Sequence, residues 1–77
     1  MNKLERLALE ADRLNYEEEH GRCGEADRQE ADRQFYAALE TACVGEIAKA
    51  CRNKSGWHAF WHLMSMEAEL ERRLSRA

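Results

Sequence analysis

The chain has almost nothing from which to build a strand. Of its 77 residues only Thr41, Val44 and Ile47 are β-branched, and there is no proline. Alanine, leucine, glutamate and arginine are abundant, and these residues lose little side-chain freedom in a helix. The sequence therefore predicts an all-α fold. Two segments interrupt the helical pattern, Gly21-Arg22-Cys23-Gly24 and Asn53-Lys54-Ser55-Gly56. Asn53 suits the left-handed position that ends a helix, and Ser55 suits the cap that begins one. Three helices follow, over about 3–20, 25–52 and 56–75. They are expected to form a three-helix bundle, or a long helical hairpin with a third helix, in a single domain over 1–77.

A chain of 77 residues buries a modest share of its surface, and such a core supplies no more than ~3–5 kcal/mol. Further support is expected from outside the chain. Three cysteines cannot all pair within one molecule, and Met1-Asn2-Lys3 runs into a charged helical pattern with no apolar leader, so a reduced, cytoplasmic protein is expected. The extra stability is then expected from a second copy, as a homodimer. No run approaches the roughly 18 apolar residues of a membrane span, and the mean hydropathy is −0.80, so no membrane partner is expected.

The formal charge of −3 argues against nucleic acid as a partner, because phosphate contacts call for a basic face. Arg52 with Lys54, and Arg72 with Arg73 and Arg76, are local exceptions, but Glu67, Glu69 and Glu71 stand beside the second cluster. Catalysis has little support. Cys23, between a histidine and the start of a helix, is the thiol expected to be most reactive, with Glu17, Glu18 and Glu19 opposing that effect. Cys43 and Cys51 read as small core residues. Glutamates on solvated helical faces are not positioned acids and bases, so no enzyme activity and no cofactor are expected.

Leu4, Leu7, Ala8, Ala11 and Leu14 mark a narrow seam on the first predicted helix. Glu17-Glu18-Glu19 places acid at its C-terminal end, where the helix dipole prefers base, so the last turn is expected to fray. The second helix shows a large apolar face of Phe35, Leu39, Cys43, Ile47 and Ala50, and a smaller one of Ala37, Val44 and Ala48. Its first ten residues contain the tetrad Glu-Ala-Asp-Arg twice, a tetrad already present at 10–13. This stretch reads as a solvated helix laced with glutamate–arginine pairs, or as a polar extension that meets a partner through charge. At 1.5 Å per residue the second helix would run about 42 Å, against about 27 Å and about 30 Å for the others. A break near Gln34, a bend at Gly45 or cover from another chain would resolve the mismatch.

The third helix holds both tryptophans and two of the three histidines. Leu63, Leu70 and Leu74, with Met66, form its core stripe, and Trp57, Phe60, Trp61 and Met64 widen the apolar arc beyond what one neighbouring helix can cover. These four, with Tyr36, are the expected partner-binding residues. His58 and His62, one turn apart, and Cys51 are the candidate ligands for a zinc-responsive regulator. The same two histidines fall near Ser65 and Glu69, on a face that reads as solvated, and no native metal is expected.

The function expected from these features is that of a small non-catalytic module that binds another protein, as a regulator or inhibitor. The alternatives are the zinc-responsive regulator using Cys51, His58 and His62, and a small nucleic-acid-associated protein. In size and style the chain is similar to phage- or plasmid-encoded inhibitors of host functions, including anti-CRISPR proteins and transcription-factor antagonists. Phe35-Tyr36-Ala37-Ala38 with Trp61 resembles scattered positions of the Hha-type nucleoid modulators, but the charged first half does not match and no residue is carried over.

Overall fold

The computed structural model describes residues 2–52 and 61–76. Among these residues it contains four helices and no strand: α1 (Lys3–Glu19), α2 (Glu25–Thr41), α3 (Val44–Arg52) and α4 (Trp61–Ser75). The fold is all-α as expected. The helix predicted over 25–52 is two helices, and the segment of the third before Trp61 lies outside the described residues.

The break falls at Ala42, whose backbone is extended with φ −71° and ψ 146°. All three β-branched residues gather here, Thr41 and Val44 on either side and Ile47 one turn further on, with Gly45 between them. Helix propensity is therefore low at this point of the chain. The new helix begins when Ile47 N donates to Cys43 O at 3.1 Å. The old one is closed by a side chain from elsewhere in the fold. Arg73 of α4 donates from Nη2 to Leu39 O at 2.9 Å and to Glu40 O at 3.1 Å, and from Nη1 to Ala42 O, while its Nε holds Glu69 Oε2 at 2.7 Å. The guanidinium thus serves the Glu40 and Ala42 carbonyls at the end of α2 and joins Ala42 N at Leu39 O. The break also removes the length mismatch, since α1 and α2 have 17 residues each and α4 has 15.

The start of α1 is capped by Asn2, whose Oδ1 accepts from Glu5 N at 2.8 Å and whose Nδ2 donates to Glu46 O at 3.0 Å, tying α1 to α3. Its end does not fray as expected. Arg22 N donates to Glu17 O at 2.8 Å and Gly21 N to Glu18 O at 3.0 Å, with Gly21 at φ 71°. This is a Schellman closure, and its left-handed residue is best supplied by glycine. Glu18 is further held by Arg28 Nε at 3.1 Å.

The short 20–24 turn lays α2 antiparallel on α1. α4 runs beside α2 in the same direction, from His62 and Ser65 near Asp32 and Tyr36 to Arg73 near Leu39 and Ala42. The core comprises Leu4, Ala8, Ala11, Phe35, Leu39, Ala42, Ile47, Ala50, Cys51, Leu63 and Met66. Ala8 and Ala11 are fully buried, and Leu7 and Leu14 only partly. The seam of α1 is therefore turned from the expected stripe, and it draws Glu5 and Asp12 inside. Cys51 is a core residue as expected, but Cys43, at the break, is exposed.

Candidate functional site

The tetrad Glu-Ala-Asp-Arg stands at 10–13, 25–28 and 30–33. On a helix its first and last residues are neighbours on one side, and the alanine and aspartate point to the other. Glu10 and Arg13 pair outward, as do Glu30 and Arg33, with Nε–Oε2 distances of 3.1 Å and 2.8 Å. The aspartates of these two copies, Asp12 on α1 and Asp32 on α2, turn inward and meet one side chain of α4. His62 Nδ1 lies 2.5 Å from Asp12 Oδ1, and Nε2 lies 2.8 Å from Asp32 Oδ1. His62 N also points at Asp12 Oδ1, at 3.4 Å.

His62 is 3% exposed and Asp12 0%. The histidine expected on a solvated face is thus in the interior, with its ring edge-on to Phe35 at a centroid distance of 4.9 Å. The first turn of α4 places His62 one residue past Trp61, on the side facing the α1–α2 seam. Asp32 has further donors: Asn15 Nδ2 reaches Oδ1 at 3.1 Å, and Arg28 Nη1 reaches Oδ2 at 3.2 Å. Among the described residues Asp12 Oδ2 and Glu5 Oε2 are buried without a hydrogen-bond partner. The middle tetrad serves the same cluster through Arg28, which bridges Glu18 and Asp32. The 25–34 stretch is mostly solvated and carries the expected glutamate–arginine pairs, but it lies along α1 and does not overhang the bundle.

A carboxylate can only accept, and a neutral imidazole carries one N–H, so two carboxylates on opposite nitrogens call for the doubly protonated ring. Burial is the largest influence on His62 and opposes its charge. The hydrogen bond and charge of Asp12, then those of Asp32, outweigh it together, and the His62 pKa lies above its ordinary value. With both nitrogens occupied, the ring has no lone pair for a substrate proton or a metal ion. That takes His62 out of the candidate ligand set with Cys51, and His58 lies outside the described residues. Among the described residues no group of three or more His, Cys, Asp or Glu side chains is placed to hold a metal.

No known protein family, curated protein or solved structure matches this chain. Its function has to be read from its own surfaces. Of the expected partner-binding residues, Trp57 and Phe60 lie outside the described residues. The other three leave large apolar surface in the open: Trp61 is 46% exposed, Met64 62% and Tyr36 48%. Tyr36 Oη meets Ser65 Oγ at 3.1 Å, and Ser65 Oγ donates to Trp61 O at 3.2 Å. The Tyr36 hydroxyl is thereby fixed to the turn of α4 that carries Trp61 and Met64.

The thiol expected to be most reactive is not activated. Cys23 Sγ points to Leu14 O at 3.4 Å, and desolvation first, then Asp27, Glu18 and Glu17, push its pKa up. Two of the C-terminal arginines are also engaged, since Arg72 and Arg73 both pair with Glu69. No helix of the described residues is long and apolar enough to cross a membrane. The sequence reading missed Asp12, Asp32, Asn15, Arg28 and Arg73. Its one signal for the aspartates was the repeated tetrad, in which Asp12 stands a full turn beyond Ala8 on the face that the core needs.

Proposed function

We propose that this chain is a small helical module that binds another protein, as a regulator or inhibitor, through a patch of Tyr36, Trp61 and Met64. The observation that supports the reading is the exposure of these three large side chains on neighbouring turns of two helices. Tryptophan, tyrosine and methionine are enriched at protein interfaces, where a few such anchors carry most of the affinity. Each is costly to leave in water, whereas the polar pairs around 10–13 and 30–33 are already satisfied within the chain. Glu40, Glu69 and Arg72 line a groove with Tyr36 and supply a charged rim.

The test places a photo-crosslinking side chain at Met64, with a control at Glu19 on α1, in cells that make the protein. A defined adduct formed from position 64, absent from position 19 and lost when Trp61→Ala is added, supports the reading, provided that Trp61→Ala retains its helical signal. Adducts that ignore Trp61→Ala overturn it. An adduct with a second copy of this chain alone would make the patch a homodimer surface and overturn the role toward a different protein.

A further inference from the structure

One imidazole holds carboxyl groups of two different helices, and its two sides are unequal. Among the described residues Asp12 takes its donors from His62, at Nδ1 and the backbone N, and its second oxygen is buried with no partner there. Asp32 is partly exposed and keeps Arg28 and Asn15 whatever the ring does. A ring that gives up one proton must turn a lone pair toward one carboxylate. Facing Asp32 is the lesser cost, because that group stays hydrogen-bonded and reaches water, whereas a bare Asp12 would be a buried charge with no partner. The proton that leaves is therefore the one on Nε2.

We propose that His62 is a proton-operated latch between α2 and α4. As pH rises the Nε2 proton leaves, Asp32 turns fully to Arg28 and Asn15, and the Tyr36–Ser65 contact one turn along opens with it. The α1–α4 contact through Asp12 stays closed. Besides the packing of Phe35 on the His62 ring, three polar ties among the described residues hold the α2–α4 seam: Asp32 to His62, Tyr36 to Ser65, and Arg73 to the last carbonyls of α2. Close backbone approach is sparser between α2 and α4 than between α1 and α2 or α3 and α4, so releasing one tie loosens its neighbour. The groups that face the ring are Asp12 of α1 and Asp32 and Tyr36 of α2, with Arg28 and Glu18 behind Asp32. The raised His62 pKa keeps the closed form to higher pH than an ordinary histidine would. Tyr36 and Trp61 stand on opposite sides of this seam, so proton loss respaces the patch. That last consequence rests on the protein-binding reading, and the latch itself does not.

The test is a pH series on the whole free protein by nuclear magnetic resonance, from mildly acidic to mildly alkaline, following the His62 ring nitrogens and the proton contact between the Tyr36 ring and the Ser65 methylene. The expected result is two N–H groups at low pH, loss of the Nε2 proton first, and fading of the Tyr36–Ser65 contact with the same midpoint. Asp32→Asn, which keeps a polar group in place, should shift that midpoint down. Loss of the Nδ1 proton first, a Tyr36–Ser65 contact that persists after the ring is neutral, or a midpoint unmoved by Asp32→Asn would each overturn the latch. No partner enters these measurements, so the latch and the binding patch fail separately.

Discussion

Asp12 Oδ1 lies 2.5 Å from His62 Nδ1, fifty residues along the chain, at a point where Asp12 has no exposure to solvent. The pair joins the middle of α1 to the first turn of α4, and each group is the other's means of being inside.

Removing one member should therefore be severe. His62→Ala strands a buried carboxylate and is expected to lower the unfolding free energy by about 3–5 kcal/mol, which is most of the stability of a small domain. Urea denaturation followed by circular dichroism would show it. Adding Asp12→Leu removes the stranded charge as well and should recover part of the loss.

Stability should also fall with rising pH. The folded His62 pKa lies above the ordinary 6.5, so the folded state holds a proton that the unfolded chain has released. The contribution is complete below the ordinary value and is lost as pH climbs through the folded one. Thermal midpoints of the wild type should decline over that window, and those of His62→Gln should stay level there.

Arg73 offers a separate test of the α2 terminus. Its planar fork reaches the carbonyls of Leu39, Glu40 and Ala42 while its Nε holds Glu69. A lysine ammonium is a point donor and cannot span that set. Arg73→Lys should cost about 2 kcal/mol, nearly as much as Arg73→Ala, and amide exchange should speed up selectively in the last turn of α2.

Gly21 is the simplest case. Its φ is +71° and nothing lies within 4 Å of the position a Cβ would take, so a side chain meets backbone strain and no clash. Gly21→Ala should lower stability by about 1 kcal/mol and Gly21→Asn by less, measured by thermal unfolding.

The helical class, the turn at 21–24 and most of the core were legible because they follow from propensity and period. Ile47, Leu63 and Met66 had to face inward whatever the tertiary arrangement. The division of the second helix was harder to read. Thr41, Val44 and Gly45 weaken the helix, but Arg73 closes it from a distant part of the chain, and local pattern carries no trace of that. The inner cluster was hidden for a similar reason. Periodicity assigns aspartate and histidine to water by default, and only the tertiary meeting of Asp12, Asp32 and His62 makes their burial tolerable. The exposure of Trp61 and Met64, by contrast, agrees with the excess apolar arc read on the third helix.

The dependence of the first two helices on α4 has a practical corollary. A peptide ending at Arg52 would hold Asp12 without its imidazole and α2 without its terminal guanidinium, and a peptide beginning at Trp61 would hold His62 and Arg73 with nothing to receive them. Neither piece has a finished interior. Mixed together, each would supply the charges that the other lacks, so this small chain is a natural candidate for a split reporter whose signal appears only when its two halves are brought together.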